Sequence, residues 1–154
     1  MNMKCSALLI GLMLSSGLAQ AQVMLDGEVE YGLFTTSYQD FAPGERILAQ
    51  RDQPMERTTE VPARLGSKFG MRYSLTGKTS SEAPLTLLYL TPGVITPDGV
   101  RHDKFVVTQA LAVDAVRETM AFEFSEPHEV VPGEWHLMVF QEDRKIVEQR
   151  FMVR

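Results

Sequence analysis

Residues 132–153, PGEWHLMVFQEDRKIVEQRFMV, decide the fold class. Pro132-Gly133 turns the chain, and from Glu134 to Gln141 the residues Trp135, Leu137 and Val139 recur at every second position. That is the spacing of side chains on one face of a strand. From Lys145 to Val153 the same period places Val147, Phe151 and Val153 together, and Glu142-Asp143-Arg144 joins the two runs. The stretch therefore predicts a β-hairpin with one apolar face. A hairpin alone is marginal in water, so this face requires a second apolar surface to cover it.

The rest of the chain supplies that surface. Val29, Tyr31 and Leu33 alternate with Glu28 and Glu30, while Phe69, Met71, Tyr73 and Leu75 alternate with Lys68, Arg72 and Ser74. Met120, Phe122 and Phe124 do the same against Glu123 and Ser125. Leu85 to Leu90 is almost continuously apolar, and its shortness between Pro84 and Pro92 predicts a central strand. Phe105–Val107 and Thr58–Val61 are further strand candidates. Gly77–Ala83 and Pro92–Asp103 read as loops, the second holding the turn Thr96-Pro97-Asp98-Gly99, where proline presets φ and glycine admits a positive one. Tyr38–Gln53 is either a long loop or contains a short edge strand at Ile47–Ala49. The expected fold is all-β: an antiparallel two-sheet sandwich of about seven or eight strands. With no fixed repeat, low-complexity tract or linker, residues 22–154 are expected to form a single domain.

Residues 1–21 read differently. Lys4 supplies a positive start, Ala7–Leu18 an apolar run, and Ala19-Gln20-Ala21 the small residues of a cleavage site. The run is shorter than the ~20 apolar residues that span a bilayer, which predicts a signal peptide cut after Ala21 and no stable membrane anchor. Cys5 is the only cysteine and lies ahead of the apolar run, away from the position a lipid-carrying cysteine needs. Export would then deliver a cysteine-free chain to the periplasm or outside the cell, excluding disulfides, thiolate metal sites and cysteine nucleophiles together. Losing Lys4 takes the formal charge from −5 to −6. A net negative chain with scattered charges opposes binding to nucleic acid.

Several of these segments together resemble a known family. Val61-Pro62-Ala63-Arg64-Leu65-Gly66-Ser67-Lys68-Phe69-Gly70, Leu87–Pro92, Glu129-Val130-Val131-Pro132-Gly133-Glu134-Trp135 and the closing Phe151-Met152-Val153 are similar to the bacterial family called domain of unknown function 3859. The resemblance covers Gly27 to Arg154. It implies an exported immunoglobulin-like domain, and it implies no activity and no site residues. The motifs also have structural readings: Gly66 and Gly70 suit backbone that is tight or closely approached, such as a turn and a bulge, and Trp135 fills the space between two sheets while its N–H seeks a partner.

No catalytic fingerprint is present in residues 22–154. The imidazoles of His102, His128 and His136 are candidate metal ligands if their strands converge, with surface imidazoles as the plainer reading; His136, alternating with Trp135, is expected to point outward. Met24, Met55, Met71, Met120, Met138 and Met152 are spread singly and read as core filling, not as a copper site. Ser67-Lys68 is a poor nucleophile pair because neighbours in a strand point to opposite faces. Glu28 and Glu30 read as a solvated face, and no cofactor motif occurs. The remaining candidate is the connection Pro92–Lys104, whose Pro97, Asp98, Arg101, His102 and Asp103 form a possible partner-binding loop. The expected function is a non-catalytic binding or accessory domain of the bacterial periplasm whose partner is another envelope protein or a peptide or glycan. A histidine-based metal or small-ligand carrier is the alternative, and a hydrolase of unknown type the remote one.

Overall fold

In the computed structural model, which describes residues 22–35 and 53–154, the period-two segments become strands. The expected leader, with Cys5, and the Ile47–Ala49 strand candidate lie outside the described residues. The strands are β1 (Met24–Phe34), β2 (Met55–Glu56), β3 (Glu60–Val61), β4 (Lys68–Thr76), β5 (Leu85–Ile95), β6 (Arg101–Gln109), β7 (Glu118–Glu123), β8 (Gly133–Gln141) and β9 (Arg144–Val153). The only helical element among the described residues is a 3-10 turn at Pro127–Glu129. One sheet has the order β2-β1-β4-β7 and the other β3-β9-β8-β5-β6. All pairings are antiparallel except one: β3 runs parallel to β9, matching Glu60 with Met152 and Val61 with Val153.

The two inner faces meet in one aromatic core. Phe69, Met71 and Tyr73 of β4 and Met120 of β7 face Trp135, Leu137 and Val139 of β8 and Phe151 of β9, and all are buried. The Trp135 ring centroid lies 4.8 Å from Phe122, 5.5 Å from Phe124 and 5.8 Å from Phe69, and its Nε1–H donates to the carbonyl of Val131 at 3.0 Å. Tilted and edge-on contacts of this kind add to the area term of burial. The β8–β9 hairpin closes tightly, with Gln141 opposite Arg144 and Glu142 at φ 52°, a left-handed conformation that costs a side chain something but matches the twist of a tight hairpin.

Two local readings change. Gly70 sits at no bulge: it pairs in regular register with Ala121, and a Cβ there would lie 2.1 Å from the carbonyl oxygen of Met120. Of the two conditions expected of it, close approach and not a bulge requires the glycine. The connection expected at Pro92–Asp103 is mostly strand. β5 continues past Pro92 to Ile95 because the proline falls at a register shift between Leu90 and Val94, where its missing N–H breaks no ladder. The Thr91 hydroxyl donates to His102 O at 2.7 Å and accepts from Gly93 N–H at 3.0 Å, tying the bulge to β6.

The outer faces differ in chemistry. On the four-stranded sheet, Glu30 accepts from Arg72 Nε at 3.0 Å and Arg117 at 3.2 Å, and Lys68 donates to Gln53. On the five-stranded sheet, Leu88 is paired with Met138 and Thr86 with Phe140. Ion pairs occupy the outer faces of both sheets, and that of the five-stranded sheet adds the apolar Leu88 and Met138.

Candidate functional site

The β5–β6 hairpin carries the residues singled out for partner binding. Its tip is a turn in which Gly99 N–H donates to Thr96 O at 2.8 Å and Thr96 N–H to Val100 O at 3.0 Å. The Thr96 hydroxyl donates to the Asp98 carboxylate, and Val100 N–H reaches the same oxygen at 3.3 Å. These donors, the hydroxyl first, hold the Asp98 carboxyl below its ordinary value. Pro97 and Asp98 therefore belong to the turn, while Arg101, His102 and Asp103 lie on β6. Arg101 donates through Nε to Asp103 at 2.8 Å and through its terminal nitrogen to Pro92 O at 2.9 Å. Its guanidinium lies over Gly93, where φ is +114° and any Cβ would collide with it. His102 stacks on Phe105 with centroids 5.5 Å apart, and its Nε2 lies 3.3 Å from the Thr96 hydroxyl. The hairpin is thus a rigid, internally satisfied unit.

The histidines do not form one ligand set. His128 lies in the 3-10 turn, His102 is stacked at the hairpin, and His136 makes a 2.7 Å contact from Nε2 to Glu148 on β9. Among the described residues no group of three or more His, Cys, Asp or Glu is arranged to hold a metal ion. His136 does point to the outer face, yet it is only 8% exposed, because β8 is a central strand with Leu90 and Arg150 on either side. Glu148 also meets Lys145 at 2.8 Å, and these two partners, Lys145 first, hold its carboxyl below its ordinary value. A carboxylate with a lowered folded pKa stabilises above the unfolded pKa, and that contribution is lost as acid protonates it. Glu148→Gln is therefore expected to melt below the wild type at neutral pH, the gap closing as the pH falls through the carboxylate range. Thermal unfolding across that range checks this; a gap independent of pH refutes it.

Ser67 and Lys68 diverge as expected: the serine hydroxyl donates to Pro62 O at 2.8 Å and the lysine points to Gln53. A cleft of about 910 Å³ lies beside Gln22, Glu82, Gln141 and Arg144, and one of about 530 Å³ beside Phe34, Arg64 and Ser67. Neither has a histidine among its described lining residues.

One buried ionic group escaped the sequence reading. Glu118, the first residue of β7, and Lys78, in the β4–β5 connection, have side chains only 5% and 8% exposed, with Lys78 Nζ 3.7 Å from Glu118 Oε1. Gln109 at the end of β6 donates to the other carboxylate oxygen at 3.0 Å, and Lys78 donates to the carbonyls of Ala112 at 2.9 Å and of Ala115. Burial raises the Glu118 carboxyl and Lys78 opposes it. Tyr73, opposite Glu118 in register, is pushed up by burial and then by that carboxylate. The signal was available: Glu118 occupies the inward position of a period that continues through Met120 and Phe122. Through the carbonyls of Ala112 and Ala115 the arrangement ties down the connection from β6 to β7, which crosses from one sheet to the other.

The family model for the domain of unknown function DUF3859 matches residues 22–153. The chain belongs to this family. Among solved structures, an immunoglobulin-like protein from Pseudomonas aeruginosa is 56% identical over 88% of this chain and 99% of its own, with a TM-score of 0.77. The sandwich is accordingly immunoglobulin-like. An alkylpurine DNA glycosylase, AlkC from Pseudomonas fluorescens, bound to DNA containing an abasic site analog, is 13% identical over 62% of this chain and 28% of its own, with a TM-score of 0.39, and bears on neither fold nor activity. No curated protein matches the chain.

Proposed function

We propose that this DUF3859 member is a non-catalytic binding module, exported by a signal peptide cut after Ala21 and recruited to another protein of the bacterial envelope. The observation that supports the reading is the placement of exposed apolar side chains. Of the nine large hydrophobic residues left exposed among the described residues, six fall along β6 and its flanks: Ile95, Val100, Val106, Val107, Val113 and Val116. Apolar side chains gathered at one edge, bordered by charged residues, mark protein contact surfaces more than scattered ones do. The residues first suspected, Pro97, Asp98, Arg101, His102 and Asp103, shape and stiffen that edge.

The test is recovery of the tagged protein from cells after cross-linking, with the N-terminus of the recovered chain sequenced. The expected result is a chain beginning at Gln22 with one partner in near-stoichiometric yield. Val106→Glu combined with Val107→Glu is expected to abolish that recovery, and Thr119→Glu, on the charged outer face, to leave it intact. Recovery of the wild type alone, or equal recovery with both variants, refutes the binding reading; an uncut chain refutes export as described.

A further inference from the structure

Sheet edges expose rows of unpaired N–H and C=O groups, and proteins blunt them with shortness, charge, proline or bulges. Among the described residues this sandwich has four such edges. β2 and β3 are two residues long, so β1 before Leu33 and β9 before Met152 are also open on that side, but these stretches carry Asp26, Glu28 and Glu30 with a bulge, and Lys145, Glu148 and Arg150; β7 is six residues long. β6 is nine residues long and lies at the end of its sheet with β5 on one side only. Its first half carries Arg101, Asp103 and Lys104; its second half, Phe105-Val106-Val107-Thr108-Gln109, has no charge, proline or glycine. Across that half the pairing with β5 is regular, from Leu85 opposite Gln109 to Leu90 opposite Lys104, with the bulge lying beyond it.

From this we infer that β6 is a strand-acceptor edge, taking an extended apolar peptide segment of a partner protein, flanked by an acidic residue, as an added strand of the five-stranded sheet. The inference rests on the binding-module reading and specifies its mode. Strand addition draws affinity from main-chain bonds and specificity from alternate side chains. Here Phe105 and Val107 face the sandwich interior and Val106 and Thr108 face outward, as their partners in β5 require. Phe105 is held in place by stacking on Phe122 at 6.0 Å, which in turn meets Trp135, so the edge is fixed to the core and pre-ordered. Charge selects the occupant. Among the described residues Lys104 has no ion-pair partner, while Asp103, the only carboxylate of β6, is already held by Arg101. A second copy of β6 thus offers Lys104 no free carboxylate, whereas a foreign segment with an acidic residue flanking its apolar stretch does.

The probe is a synthetic peptide carrying the chain's own β5 segment, Leu85–Leu90, followed by glutamates, because that segment already matches the side-chain spacing of β6. Added to residues 22–154 and followed by amide exchange in NMR, it is expected to protect amides of 105–109 in alternation. The same peptide N-methylated at alternate residues is expected to lose that protection, and Lys104→Glu to bind the plain peptide several-fold more weakly. Equal binding of the methylated peptide, or binding mapped to the Leu88–Met138 face, overturns strand addition while leaving the module reading to its own cross-linking test. Protection of 105–109 that appears without peptide, with sedimentation showing a concentration-dependent dimer, identifies a second copy as the occupant and overturns the foreign segment. No binding by a monomeric, folded protein overturns the proposal.

Discussion

Trp135→Ala is expected to destabilise the protein by about 3–5 kcal/mol, a large fraction of the ~5–15 kcal/mol that holds a typical domain folded. The indole is fully buried and is the one side chain in ring contact with Phe69, Phe122 and Phe124 at once. Truncation leaves a cavity between β8 and the strands β4 and β7, which pair with each other and are not free to collapse into it. It also leaves Val131 O without the indole donor, just before the turn into β8. Trp135→Phe separates the two effects: it keeps most of the volume and loses the hydrogen bond, at an expected cost of roughly 1–3 kcal/mol. Trp135 is the only tryptophan, so denaturant unfolding is followed by circular dichroism and not by fluorescence. A loss under ~1 kcal/mol for the alanine variant would show that the two sheets do not depend on this contact.

The second large effect is expected at Lys78. Breaking a buried ion pair from one side costs about 3–5 kcal/mol because the other charge stays behind, whereas replacing both partners by apolar residues is far milder. Lys78→Met removes the cation from Glu118 and the donor from the carbonyls of Ala112 and Ala115. The double variant Lys78→Met with Glu118→Leu is expected to regain part of the loss. The pH dependence has a definite sign. Burial already raises the Glu118 carboxyl, so the folded chain holds this proton more tightly than the unfolded one, and its contribution improves as pH falls through the folded pKa. Without Lys78 that tendency strengthens. The deficit of Lys78→Met is therefore expected to be largest at neutral pH and to shrink in mild acid. Denaturant titrations at both pH values check this, and a deficit that grows in acid refutes it.

What could be read from the chain was what side-chain alternation reveals. Apolar inward residues of β4, β8 and β9 recur at period two, so the existence of these strands follows from that spacing alone. β6 was legible only at Phe105–Val107, because Arg101–Lys104 lacks alternation. An edge strand keeps one side in solvent and tolerates charges there, which erases the pattern. β5 beyond Pro92 was lost for a related reason, since proline reads as a stop unless a bulge is known to absorb it. His136 needed the strand order: only with β5 and β9 on its flanks does an outward imidazole become buried and paired with Glu148. Whether the three histidines converge was not legible, because sequence separation carries no information on which strands are neighbours. Glu118 was legible in principle, as the one carboxylate on an otherwise apolar inward face, but its partner Lys78 lies forty residues away in a loop that the hydrophobic pattern does not describe.

The parallel contact between β3 and β9 also sets a timetable. β3 precedes β9 by about eighty residues, yet β9 is the strand with which β3 and β8 both pair: Arg154 N–H reaches Val61 O at 3.0 Å and Ala63 N–H reaches Arg154 O at 2.8 Å. The β3 edge of the five-stranded sheet closes only when Arg154 is in place. Until then β3 and the inner face of β4 wait without their cover. Such long-range closure folds slowly. In this topology the long-range β3–β9 contact is expected to form after the local β8–β9 hairpin.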